Sequence, residues 1–198
     1  DGAEIVATLE ASNAVELLFF TNHHQVYKSR AADFSDGKAS VLGDYVASRL
    51  GMEEGEVPVY MAVTSDYSGY MLFFFQNGKC AKVPLASYET KQNRKKLLKA
   101  YSDKAELTCM MQMKEEAELA IYTTGNRLIL AGSALIPAKA TRDTAGVNVV
   151  TLKKNQKIAK VQPAEGLEFA NPHRFRVRSL PAAGALLRPE DTSEQLSL

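Results

Sequence analysis

One pattern occurs three times in this 198-residue chain, and it restricts the fold more than any other feature. The copies are Glu16-Leu-Leu-Phe-Phe-Thr-Asn-His-His-Gln-Val-Tyr-Lys28, Tyr70-Met-Leu-Phe-Phe-Phe-Gln-Asn-Gly-Lys-Cys-Ala-Lys82 and Glu118-Leu-Ala-Ile-Tyr-Thr-Thr-Gly-Asn-Arg-Leu-Ile-Leu130. Each is a short apolar run, a polar turn and a second run of alternating character. Aligning Thr21, Phe75 and Thr123 gives spacings of 54 and 48 residues. A continuous apolar run of about five residues fits a strand buried on both faces. Asn77-Gly78 is a strong turn signal because both residues accept positive φ, and Gly125-Asn126 is comparable. His23-His24 is the weak copy, in which one histidine must take positive φ. Before each pair, or between pairs, an acidic residue precedes another apolar stretch: Gly2-Ala-Glu-Ile-Val6, Gly55-Glu-Val-Pro-Val59 and Ala105-Glu-Leu-Thr-Cys109, with a weaker fourth copy at Gly166-Leu-Glu-Phe169. Strand-built repeats of about 50 residues imply an all-β chain of propeller-like blades.

Two stretches depart from that rhythm. Lys91-Gln-Asn-Arg-Lys-Lys-Leu-Leu-Lys-Ala-Tyr101 has good helix formers, and Leu97, Leu98 and Tyr101 fit one helical face, so propensity alone predicts a short helix. A loop leading into a strand competes with it. From about Asn171 the chain is rich in proline and small residues, then acidic. This predicts a tail over 171–198 packed on the last repeat and then frayed.

Net charge, +1, argues at first sight against a nucleic-acid partner. The signs are segregated, however. Residues 1–16 carry four acids and no base, and 44–66 carry five acids against Arg49 alone. Residues 79–104 and 127–160 each carry a net +6, and Arg174, Arg176 and Arg178 form a third basic cluster. Charges gathered this way can give a neutral chain a strongly positive face. Ordinary solvated surface explains any one cluster equally well; recurrence at equivalent repeat positions favours a binding role.

Catalytic patterns are missing. There is no phosphate-binding loop, dinucleotide fingerprint or Gly-x-Ser-x-Gly elbow. His23 and His24 are adjacent and point apart, which makes a poor chelate. His173 has no acidic or cysteine partner nearby in sequence. Cys80 and Cys109 are too few for a disulfide framework or a four-ligand zinc site and read as small core residues. Glu53-Glu54 and Glu115-Glu116 read as solvated loop acids. No run of about 18 apolar residues crosses a membrane, and no secretory leader is visible.

Leu17-Leu-Phe-Phe-Thr-Asn-x-x-x-Val-Tyr-Lys28 resembles the repeated blade motif in the C-terminal domain of bacterial type IIA topoisomerase A subunits, those of DNA gyrase and topoisomerase IV. Asn77-Gly-Lys-Cys-Ala-Lys-Val-Pro-Leu-Ala-Ser-Tyr88 resembles a recurring stretch of that family, and Val41-Leu-Gly-Asp-Tyr45 with Leu50-Gly-Met-Glu-Glu-Gly-Glu56 its linker and next blade start. The resemblance covers about residues 1–165. It implies a β-pinwheel with strand-exchanged blades, here about three, compatible with an open partial disc. The corresponding domain is 1–170, with repeats near 1–54, 55–104 and 105–165. It implies sequence-nonspecific binding and bending of duplex DNA on behalf of an ATP-dependent enzyme whose catalytic tyrosine, ATPase and Mg lie elsewhere; no cofactor is expected in this chain. Its implied partners are DNA, the ATPase B subunit, and the catalytic core of the same polypeptide, with no membrane, in the cytoplasm on the bacterial chromosome. The gyrase-specific Gln-Arg-Arg-Gly-Gly-Lys-Gly box is missing, and Asn93-Arg-Lys-Lys96 is basic but lacks the glycines. Candidate DNA contacts are Lys28 and Arg30 in the first repeat; Lys79, Lys82, Lys91, Arg94, Lys95, Lys96 and Lys99 in the second; and Arg127, Lys139, Arg142, Lys153, Lys154, Lys157 and Lys160 in the third. Arg94, Lys95 and Lys96 are the strongest group. The competing reading is a propeller-type protein-interaction module that uses acidic or apolar patches instead.

Overall fold

The computed structural model describes residues 15–34, 42–91 and 94–192. The acidic element Gly2–Val6, Asn93 and the expected frayed terminus lie outside the described residues. Among the described residues twelve strands run in order: β1 (Glu16–Thr21), β2 (Val26–Arg30), β3 (Pro58–Thr64), β4 (Tyr70–Phe75), β5 (Lys79–Pro84), β6 (Lys96–Leu97), β7 (Leu107–Met113), β8 (Glu118–Thr123), β9 (Arg127–Gly132), β10 (Val147–Asn148), β11 (Ile158–Pro163) and β12 (Ala185–Leu186). They form three four-stranded antiparallel sheets, ordered β3-β1-β2-β6, β10-β5-β4-β7 and β11-β8-β9-β12. The fold is all-β, as the repeats require.

Each sheet is built by one rule. A hairpin supplies the two central strands, and both flanking strands come from later in the chain. Thus β7 runs toward the β8–β9 hairpin but pairs with β4, and β3 runs toward β4 but pairs with β1. This is strand exchange between successive repeats. The central first strands are almost wholly enclosed: every residue from Leu17 to Thr21 and from Met71 to Phe75 is buried. Enclosure on both faces explains why they read as continuous apolar runs. Burying each such Leu or Phe contributes about 1.5–3 kcal/mol.

The turns repeat too. In each hairpin the amide of the second turn residue donates three residues back: His24 to Thr21, Gly78 to Phe75 and Asn126 to Thr123, at 3.1–3.2 Å. His24, Gly78 and Asn126 have φ of 58°, 91° and 58°. Only the second residue of each pair is left-handed, so the turn is one residue longer than the two-residue form expected from Asn-Gly. His24 takes the positive φ that its place in the pattern demands.

Two compact units divide the chain. The first comprises the described residues up to Ser68 with Leu85–Ser102; the second comprises Gly69–Pro84 with the described residues from Asp103. The core of the first gathers Leu17, Phe19, Tyr27, Ala31 and Val46. The second holds one cluster around Leu72, Phe74, Ile121 and Ile129, and another around Leu128, Leu130 and Phe175.

Helix placement differs from expectation. None of the described residues of 91–101 is helical, and the competing reading of a loop leading into a strand is the one found. Lys96 and Leu97 pair with Tyr27 and Val26, and Lys99 has a φ of 51°, which no α-helix accommodates. Buried hydrogen bonds hold that path: Tyr101 donates to the Thr21 carbonyl at 2.5 Å and Tyr88 to the Ala100 carbonyl at 2.7 Å. Long-range pairing overrides local propensity here. The one α-helix among the described residues is α1 (Leu42–Arg49), in the stretch read as a linker. Val46, 1% exposed, anchors it in the first unit's core.

Candidate nucleic-acid interface

The first unit carries an open cleft of about 790 Å³ lined by residues from five separated segments. Strand β2 and its end supply Lys28 and Arg30. Helix α1 supplies Arg49, and the segment before β6 supplies Lys91, Arg94 and Lys95. Glu16, Asp33 and Glu89 also line it, so six bases face three acids. Five of the sixteen sequence-derived candidates therefore meet in one place, although up to 67 residues separate them in sequence. Arg30, Lys91, Arg94 and Lys95 are exposed. Arg49 was not among the candidates; its sequence signal was its standing as the lone base of an acidic stretch.

Two candidates are interior groups. Lys28 is 9% exposed and Lys82 4%. Lys28 donates to Thr90 Oγ1 at 3.1 Å and lies 5.2 Å from the Tyr67 ring centre. Lys82 donates to Glu116 and to the Ser133 carbonyl at 3.0 Å, with the Tyr70 ring 4.5 Å away. Their register is equivalent: Lys28 stands opposite Leu18, and Lys82 opposite Leu72. The shared lysine of the motif is thus a packing and pairing residue of the blade. Sequence alone could not separate it from surface lysines, because amphipathic stems bury while their head groups find partners.

Lys96 lies 3.7 Å from Glu53 and 5.5 Å from the ring centre of the cleft-lining Tyr27, and is not itself part of the lining. Lys99 is exposed. In the second unit, Lys139, Lys153, Lys154, Lys157 and Lys160 are exposed, while Lys79, Arg127 and Arg142 are half-buried. Arg127 donates to the Gly184 carbonyl at 2.8 Å, and Lys160 lies 5.7 Å from the Tyr122 ring centre. Of the third arginine cluster, Arg174 pairs with Asp191 at 2.9 Å and Arg176 with Glu118 at 3.0 Å.

Glu56, the acid of the recurring acidic element, is structural. It is 3% exposed and accepts from Thr21 Oγ1 at 2.5 Å, Tyr27 Oη at 2.7 Å and the Glu53 amide at 3.0 Å. Burial pushes its pKa up, but these donors and the neighbouring His23 outweigh burial and leave it below 4.5. Glu116 is likewise raised by burial, and lowered further than that by Lys82 and Ser133. Both groups therefore contribute stability that is complete above the ordinary carboxylate pKa and is lost as pH falls through their depressed folded values. Melting temperature should fall progressively below about pH 4.5, and Glu56→Gln should flatten that fall; an unchanged acid limb in the variant would remove Glu56 from the account. His23 lies 3.2 Å from Glu53, and its ring, Glu53 and Glu56 bring their ligand atoms within 4.8 Å of one another. The two adjacent histidines do point apart, and only His23 joins this group. Burial pushes the Cys109 thiol up to about 11 and raises Cys80 further, which fits core packing rather than nucleophilic chemistry.

No protein-family model matches the chain. Among curated proteins, the DNA gyrase A protein of Streptomyces coelicolor is 30% identical over 76 residues, which is 37% of this chain and 9% of that protein. Among solved structures, the C-terminal domain of DNA topoisomerase IV is similar with a TM-score of 0.68 at 17% identity, over 91% of this chain and 62% of that one. The DNA gyrase A C-terminal domain gives 0.59 at 13%, over 91% and 64%. The E. coli ParC C-terminal domain gives 0.61 at 10%, over 89% and 73%. The chain thus has the fold of these β-pinwheel domains and spans under two thirds of the first two. No helix among the described residues is long and apolar enough to cross a membrane.

Proposed function

We propose that this chain is a non-catalytic region of a type IIA topoisomerase A subunit that binds and bends duplex DNA through phosphate contacts. The observation that carries the reading is the first unit's cleft, where Arg30, Arg49, Lys91, Arg94 and Lys95 converge from distant segments. Ordinary surface charge has no reason to converge in this way. The family likeness of the fold gives that convergence its natural ligand. Guanidinium and ammonium groups bind phosphate oxygens and release condensed counterions, which gives affinity without sequence information. The exposed lysines 139, 153, 154, 157 and 160 of the second unit supply further contacts. Bending follows when charges from more than one repeat engage one duplex; the cost, about 1–6 kcal/mol for a 20–30 bp site, is offset by those added contacts. Strand cleavage, ATP turnover with its Mg, the B subunit, and the catalytic core belong to the parent enzyme on the bacterial chromosome in the cytoplasm.

The test is a titration of two unrelated 30 bp duplexes at several salt concentrations. Equal affinities are expected, with a log–log salt slope of about −4 or steeper, equivalent to more than about a hundredfold loss between 50 and 200 mM. A flat salt response, or strong preference for one sequence, would remove phosphate binding as the mechanism.

A further inference from the structure

Equivalent positions of the three repeats are lined differently, and those of the first and third border a crevice. It opens beside the second hairpin strand, at the end of the outer donated strand. The floor positions are Lys28, Lys82 and Leu130, standing opposite Leu18, Leu72 and Ala120. Each outer segment meets the start of its hairpin at Thr64, Met113 or Ala164. Three residues further on stands a matched partner: Tyr67, Glu116 and Leu167. Lys28 lies over the Tyr67 ring, Lys82 is ion-paired with Glu116, and Leu167 packs on the cluster that holds Leu130. The floor and its partner change together, from cation–aromatic to ion pair to apolar pair.

The rim changes with them. In the first repeat it is the basic cleft described above. In the second, the Lys82–Glu116 ion pair occupies the equivalent position. In the third, an open crevice of about 590 Å³ remains, with Leu130, Leu167 and Phe169 on its apolar side. Its acids are Glu118, Glu165 and Glu168, against Arg176, which is already paired with Glu118. Glu165 and Glu168 are both exposed. Such a site repels phosphate, and an apolar wall beneath two carboxylates is complementary to an apolar side chain flanked by cations.

We infer that the third-repeat crevice is a docking site for a protein segment that presents an apolar side chain between lysines or arginines. It is independent of the DNA reading, since it uses neither the cleft nor the exposed lysines. Leucine in place of the repeat lysine leaves no floor cation for Glu165 and Glu168, which are exposed at the rim.

The probes are three decapeptides in a glycine–serine frame, centred on Lys-Phe-Lys, Lys-Ser-Lys and Glu-Phe-Glu, titrated into the methyl-labelled full chain. Lys-Phe-Lys is expected to shift the Leu130 and Leu167 methyl signals and to bind at least fivefold more tightly than either comparator. Glu165→Lys combined with Glu168→Lys, both at exposed positions, should weaken it at least fivefold while leaving the unbound spectrum folded. Equal binding of the three peptides, undiminished binding by the double variant, or shifts of these methyls by duplex DNA instead would each overturn the proposal.

Discussion

Replacing both Arg94 and Lys95 with glutamate is expected to weaken duplex binding about 30-fold at low salt, at roughly 1 kcal/mol for each reversed contact. The loss should be the same for unrelated sequences, because phosphate contacts position a duplex without reading it. The salt slope should become shallower by about two, one for each lost contact. Both side chains are exposed, so the substitutions leave the fold intact. What Lys95 gives the fold is its backbone carbonyl, which accepts from the Lys28 amide at 2.8 Å, and glutamate retains that carbonyl. Lys82→Met is the opposing case. It removes a charge of the same sign from a side chain 4% exposed and already paired with Glu116. It should lower the melting temperature and leave DNA affinity within about twofold. If Lys82→Met, a change of one charge against four, weakens binding as much as the double variant, the assignment of the cleft fails.

Which lysine lies exposed along the cleft and which holds the fold was not legible in the sequence. Lys28, Lys82, Lys91 and Lys95 are chemically the same residue, and only tertiary placement separates them. The hairpins were legible because enclosure on both faces writes a continuous apolar run, as in Leu17–Phe20 and Met71–Phe75. The left-handed turn position was legible as well, and it forces even His24 into line. Strand exchange was not legible from periodicity; the family likeness alone implied it, because an outer strand carries the same alternation whichever hairpin accepts it. Helix α1 escaped notice because a helix of only eight residues gives little periodic signal. At 91–101 the loop-into-strand reading prevails over the helix for a related reason: helix propensity over so short a stretch is worth less than pairing with β2 and the Tyr88 and Tyr101 hydrogen bonds. The joining of Arg49 to Arg94 and Lys95 in one cleft depends on both of these segments, which is why the basic site could be listed residue by residue from sequence but not assembled.

Gly146→Ala is expected to destabilise the second unit by about 2–4 kcal/mol, a large effect for one methyl group. Gly146 has a φ of +80°, and a Cβ there would stand 2.2 Å from the Cys80 carbonyl oxygen. The left-handed backbone alone costs an alanine about 1–2 kcal/mol, and the collision adds to it, because the struck atom is backbone in a central strand and cannot rotate away. The next residue, Val147, pairs with Cys80 as the start of β10, so any shift that relieves the clash opens that pairing. Gly184 repeats the arrangement before β12, with φ +80° and a built Cβ 2.9 Å from the Leu128 carbonyl. Cys80 and Leu128 are equivalent in register, so the glycine belongs to the way the short outer strand closes the second and third sheets; in the first, Lys95 stands before β6. Gly184→Ala should therefore act in the same direction but less strongly, since its clash is milder. Gly132→Ala is the control: it has no positive φ and no atom within 4 Å of a built Cβ, so its stability should change by less than about 0.5 kcal/mol. Urea unfolding of the three variants gives the ranking. A Gly146→Ala midpoint indistinguishable from that of Gly132→Ala would mean that β10 does not close its sheet in the way described.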